Sequence, residues 1–207
     1  MSARRVELAE VEIVAGADAS FLSDVERSYA AEFRSRRRVD ELVAGRRVAR
    51  DALERLVGRE RARSIACIER EPDGAPRVVG LDVAVTISIT HGRTKALAAA
   101  AEGIAPLGID LTDARDLDRI RRVARRAFPR DDERALALAS ERATRLSWAI
   151  KESIAKALRI GLLYDAGFDR ISVASLDPVV VRVDGADPGL AFEVFDRADG
   201  VLVVARG

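Results

Sequence analysis

Between Glu141 and Arg159 apolar and charged residues recur at helical spacing, and this stretch limits the folds open to the chain more than any other. At about 100° per residue, Trp148, Glu152, Ala155, Lys156 and Arg159 share one side of such a helix. Leu146, Ile150, Ser153, Ile154 and Ala157 fall near the opposite side, with Lys151 at the border. The apolar side can pack on a sheet while Glu152 and Lys156 project together. Alone, that pair is an ordinary i,i+4 ion pair worth a few tenths of a kcal/mol. Its meaning changes with Gly108-Ile109-Asp110-Leu111, which puts a carboxylate where an apolar strand ends, and with Ile87-Ser88-Ile89-Thr90-His91-Gly92, where hydroxyls and an imidazole leave another strand. Two acids and two ammonium groups brought together can hold a divalent cation and a phosphate ester at once.

The rest of the chain reads as helices and strands in a repeated plan. Residues Ala19 to Glu26 and Val39 to Val57 have helical spacing, with Gly58 as a stop. Glu71 to Pro76 is a turn-rich break, and Val83 to Thr90 alternates as a strand. Lys95 to Glu102 is ambiguous, because its alanines favour helix while its position suggests the second strand of a hairpin. In the second half, Asp113 to Phe128 and Glu141 to Arg159 read as helices. Ile171–Ser175, Val179–Val183, Leu190–Phe195 and Val201–Ala205 follow as β-like runs. Both halves run helix, break, strands without a repeat in the residues themselves. The expectation is an α+β protein of two similar lobes, 1–105 and 106–207.

Composition narrows the function. A chain of 207 residues with 48% hydrophobic content can bury an ordinary core. One cysteine, Cys67, and one histidine, His91, exclude an intrachain disulfide framework and make a structural zinc site a poor fit. The first residues lack the apolar run of a secretory signal, and no window approaches a bilayer span, so a cytoplasmic protein is expected. The net charge of +1 hides two arginine clusters, one over 34–50 and one over 119–130. A nucleic-acid partner is not expected, because aromatic residues make up only 4% of the chain and cannot interleave with those arginines.

The order Ser88-Ile89-Thr90-His91, Gly108-Ile109-Asp110, then Trp148-Ala149-Ile150-Lys151-Glu152-Ser153-Ile154-Ala155-Lys156 resembles the 4′-phosphopantetheinyl transferase superfamily. It is similar to the larger, surfactin-synthetase-activating type more than to the small trimeric holo-acyl-carrier-protein synthase type. The Trp-x-x-Lys-Glu-Ser-x-x-x-Lys pattern is the specific part. This resemblance implies two α/β lobes related by a pseudo-twofold axis, and transfer of the phosphopantetheine arm of coenzyme A to a serine of an apo acyl or peptidyl carrier protein. Magnesium is the implied metal, 3′,5′-ADP the implied second product, and a monomer the implied state.

Carried over by position, the resemblance makes Asp110 and Glu152 magnesium ligands, with Glu152, Lys156 and Asp110 as the catalytic set. Lys151 and Lys156 would meet the coenzyme A phosphates, His91 with Ser88 or Thr90 the 3′-phosphate region, Arg46 and Arg50 the adenosine phosphates, and Gly74 with Pro76 the adenine. Larger members often carry a second acid two residues after the aspartate; here Thr112 stands in that place, a candidate for a hydroxyl ligand or for holding a metal-bound water. Arg119, Arg122 and Arg126 recur at three- and four-residue spacing and would steer an acidic carrier protein. The competing expectation is a catalytically inactive coenzyme A or carrier-protein binding module.

Overall fold

The two halves of the chain run through similar successions of elements, fixed by where their apolar stripes and turn residues fall, and the second adds a 3-10 turn and one helix after its first strand. The computed structural model describes residues 5–162 and 166–207. Residues 1–105 form β1 (Val6–Glu12), α1 (Asp24–Glu32), α2 (Arg36–Val57), α3 (Arg59–Ala62), β2 (Cys67–Arg70), β3 (Pro76–Val79), β4 (Val85–His91) and β5 (Lys95–Glu102). Residues 106–207 form β6 (Leu107–Asp113), a short 3-10 turn, α4 (Leu117–Ala127), α5 (Asp131–Leu138), α6 (Glu141–Leu158), α7 (Gly167–Arg170), β7 (Ile171–Leu176), β8 (Val179–Val183), β9 (Ala191–Asp196) and β10 (Gly200–Arg206). Both are compact units of mixed α+β structure.

The sheets repeat one topology. In the first unit the three-stranded sheet has the order β1-β5-β4, and in the second β6-β10-β9, all pairs antiparallel. Each unit adds a two-stranded hairpin, β2-β3 and β7-β8. The long helix of each unit covers one face of its sheet. On α2, Val48, Ala49, Ala52, Leu53 and Leu56 are buried against Ala9, Ile87, Ala96, Ala98 and Ala100. On α6, Leu146, Ile150 and Ile154 are fully buried in a core that includes Val201 and Val203, each such side chain contributing about 1.5 to 3 kcal/mol.

Several sequence expectations are refined. Lys95 to Glu102 is a strand, and its alanines suit it to the centre of the sheet, because small side chains let α2 lie close. The first helix is Asp24–Glu32 and not Ala19–Glu26, because Ser23 caps it. Ser23 Oγ accepts the Glu26 N–H, and Glu26 accepts the Ser23 N–H at 2.9 Å. Strand β1 and helix α5 were not foreseen. One is an edge strand laden with glutamates, and the other is too short to show a period.

Asp110 does not end its strand. β6 continues to Asp113, paired with β10 throughout, and Gly108, Asp110 and Thr112 alternate onto the face that meets α6. Gly108 makes this approach possible: a Cβ there would lie 1.9 Å from the Ser153 carbonyl oxygen and 2.7 Å from the Ala157 nitrogen. Glycine is therefore required by the helix backbone that lies on it. Gly108→Ala is expected to force α6 off the sheet and destabilise the protein by about 2 kcal/mol or more, read as a lowered urea midpoint. An unchanged midpoint would contradict that packing.

Candidate active site

The close contact of β6 and α6 brings two acids and a lysine together. Lys156 Nζ donates to Asp110 Oδ1 at 2.9 Å and to the Ile109 carbonyl at 2.9 Å. Thr112 Oγ1 donates to Asp110 Oδ2 at 3.0 Å, so the carboxylate is oriented from both sides. Glu152, one helical turn before Lys156, is partly buried beside Asp110. Burial first, and then the Asp110 charge, push the Glu152 carboxyl above the ordinary glutamate range, against the opposing pull of Lys156 and Arg119. Arg119, from α4, lies over the Trp148 ring with its guanidinium carbon 5.4 Å from the centroid. Asp110, Thr112, Glu152 and Lys156 thus lie together where β6 meets α6.

Lys151 departs from the expectation that it meets a phosphate. Its side chain is fully buried and points the other way. The ammonium donates to the Ala127 carbonyl at 2.7 Å and the Phe168 carbonyl at 3.0 Å, and pairs with Glu133 Oε1 at 3.0 Å. The rings of Phe128 and Phe168 flank it at 5.5 and 5.9 Å. Burial lowers its pKa and Glu133 opposes that. Lys151 is a staple that ties the ends of α4 and α7 to α6, while Glu133 also accepts the Val173 N–H at 2.8 Å.

The first unit uses its own basic residues in the same manner. Arg50 makes a two-pronged pair with fully buried Glu26, at 3.0 and 2.8 Å, and Arg46 lies 3.5 Å from the same carboxylate. Glu26 also accepts the Ile68 N–H at 3.1 Å. Burial would raise its pKa, but the Arg50 and backbone hydrogen bonds win and hold it low. Arg46 and Arg50, expected on adenosine phosphates, are committed to this buried carboxylate. Ser88 and Thr90 are buried on one face of β4, whereas His91 lies on the other face, its ring against Gly45 of α2. The pleat therefore separates the hydroxyls from the imidazole that the sequence grouped together. Gly74, at φ +89, and Pro76 form the β2–β3 turn, closed by Gly74 N–H to the Glu71 carbonyl at 2.8 Å.

The parallel between the units extends to single residues. Counted back from the last residues of α2 and α6, Arg50 occupies the place of Lys151, Asp51 that of Glu152 and Arg55 that of Lys156. Arg55 donates to the Leu8 carbonyl in β1, as Lys156 does to Ile109 at the matching place in β6. The place of Asp110 is taken by Ala9, and Asp51 is exposed. The first unit keeps the helix cation but lacks the strand acid.

Sequence reasoning missed Glu133, because α5 was not foreseen, and Glu26, although Ser23-x-x-Glu26 is a capping-box pattern. It also missed that Arg119 reaches the charge field of Glu152.

Residues 106–199 match the family model described as the 4′-phosphopantetheinyl transferase superfamily. No curated protein matches the chain. The matched span holds Asp110, Thr112, Glu152 and Lys156, and supports a phosphopantetheinyl transferase function in general terms. The donor set fits the divalent cation that this family implies. Asp110 and Glu152 repel each other, a strain that a cation between them would relieve. Among the described residues there is no group of three or more His, Cys, Asp or Glu side chains able to hold a metal. Two carboxylates and a hydroxyl would leave room for waters and phosphate oxygens, the mixed oxygen shell that magnesium favours. No helix among the described residues is long and apolar enough to cross a membrane.

Two outcomes follow from these geometries. Lys151→Met strands Glu133 as a buried unpaired charge and should cost about 3 kcal/mol or more; a loss below 1 kcal/mol in urea unfolding, on the order of a surface pair, would contradict the staple. For Glu152, the metal-free native state keeps its proton to higher pH than the unfolded chain does. Its contribution to stability is therefore full below the ordinary glutamate range and is lost as pH rises through the raised value. Glu152→Gln should remove that decline, so the difference in stability between variant and parent grows in the variant's favour from pH 4 to pH 7. A constant difference would contradict the raised pKa.

Proposed function

We propose that the protein transfers the 4′-phosphopantetheine arm of coenzyme A to a serine of an apo acyl or peptidyl carrier protein, with magnesium, as a member of the larger two-lobed type. The reading rests on one observation: Asp110 and Glu152 stand together with Lys156 in the unit that matches the family model. In this reading the two units pair about a pseudo-twofold axis, and the protein is a cytoplasmic monomer.

Transfer requires the serine oxygen to bond to the phosphorus of the arm while the phosphorus–oxygen bond to 3′,5′-ADP breaks. The serine hydroxyl has a pKa far above neutrality, so its proton must leave as it attacks. Glu152 takes that proton, directly or through a water. Lys156, fixed on Asp110 and the Ile109 carbonyl, places a positive charge where the leaving phosphate gains negative charge. Thr112 holds Asp110 in its ligating orientation and stands where larger members often carry an acid. Magnesium, when bound by Asp110 and Glu152, supplies neutralisation of the diphosphate. Ser88, Thr90, His91, Gly74 and Pro76 are proposed contacts of coenzyme A, whereas Arg46 and Arg50 serve by fixing α1 on α2. Arg122 and Arg126, exposed on α4, are proposed to steer the carrier protein.

The test is to incubate the protein with coenzyme A, magnesium and a panel of apo carrier proteins, and to weigh the acceptors. A carrier should gain the mass of the arm, and Glu152→Gln should lower the rate by about a hundredfold or more while leaving the fold intact. Binding of coenzyme A without any mass gain would favour the inactive binding module, and near-normal turnover by Glu152→Gln would overturn the role of that residue.

A further inference from the structure

Arg119 belongs to the charge field of the site although it comes from outside the matched motifs. It sits in the first turn of α4, within α4's exposed arginine row, yet its guanidinium carbon lies over the Trp148 ring, 5.4 Å from the centroid. Trp148 and Glu152 are one helical turn apart on α6, so Arg119 lies over the side of the helix that carries the acid, and its charge acts on Glu152. One edge of the guanidinium reaches Asp116 at 3.2 Å, and the side chain is 58% exposed. Stacking occupies the faces of a guanidinium and leaves donors in its plane, the geometry that suits a phosphate oxygen pair.

Two other cations of α6 are already assigned. Lys151 is buried on Glu133 and two carbonyls, and Lys156 is held by Asp110 and Ile109. Arg119 is an exposed cation whose charge reaches Glu152.

We propose that Arg119, held on the face of Trp148, binds a phosphoryl oxygen of the phosphate-linked donor beside Glu152, and so sets affinity for that donor and not for the carrier protein. This separates it from Arg122 and Arg126 on the same helix. The inference rests on the transferase reading, and it gives Trp148 a task as the platform that fixes the guanidinium plane.

The experiment compares the parent protein with Arg119→Gln, Arg119→Lys and Trp148→Phe. Binding of coenzyme A and of inorganic pyrophosphate, each with magnesium, is measured by calorimetry, and Michaelis constants are measured for both substrates. Loss of one charge-assisted contact should weaken coenzyme A and pyrophosphate binding about tenfold in Arg119→Gln. The Michaelis constant for the carrier should change by less than about twofold, the scatter expected of an uninvolved residue. Arg119→Lys should recover only part of the affinity, since an ammonium neither stacks nor forks. Trp148→Phe keeps a ring and tests the platform without removing the charge; it should weaken binding by less than Arg119→Gln does. A rise confined to the carrier constant would overturn the inference in favour of docking, and unchanged binding of both phosphate ligands would also overturn it. If the parent itself binds coenzyme A but transfers nothing, the transferase reading fails while the binding arm still decides the role of Arg119.

Discussion

Two carboxylates that repel each other, Asp110 on β6 and Glu152 on α6, are held together by the packing of one helix on one strand. Gly108 removes the side chain that would keep the helix away. Lys156 and Arg119 offset the accumulated negative charge, and Thr112 orients one acid. Underneath, Lys151 pairs with Glu133 of α5 and donates to carbonyls of α4 and α7, so the helix that carries the charged face is anchored to three others. A site that stores unfavourable charge needs such support, because the same charges would otherwise be relieved by separation.

Apart from the 3-10 turn and α4 that the second unit adds, the two units share an order of elements, a sheet topology and a device: a glutamate at the third position of a short helix accepts a backbone N–H from the following hairpin and a cation from the long helix. Glu26 with Arg50 serves the first unit, and Glu133 with Lys151 the second. Their difference lies on the sheet-facing side of the long helix. Asp110 has Ala9 as its counterpart, so the first unit retains the scaffold without the paired acids. The paired acids occur in one copy of a repeated design.

Much of this was legible in the residues, and what was not has physical causes. The convergence of Asp110, Glu152 and Lys156 could be read because a period of two and a period of 3.6 each assign a face. The repeated layout could be read from breaks and apolar runs, even with no residue repeat. The task of Lys151 could not: it sits at the border of the helix stripe, and its burial is decided by Glu133, in a helix too short to announce itself. Arg46 and Arg50 looked like an anion grip, because arginine serves buried carboxylates and bound phosphates with the same fork. The place of Arg119 depends on where α4 lies over Trp148, a tertiary fact that spacing along α4 does not contain.

The central claim is that Asp110 and Glu152 jointly hold a divalent cation. Manganese titration followed by electron paramagnetic resonance tests it without any turnover. The parent protein should take up one ion, and Asp110→Asn and Glu152→Gln should each weaken that binding by about tenfold or more, the effect of removing one charged ligand. A parent that binds no manganese, or variants that bind it as the parent does, would contradict the account.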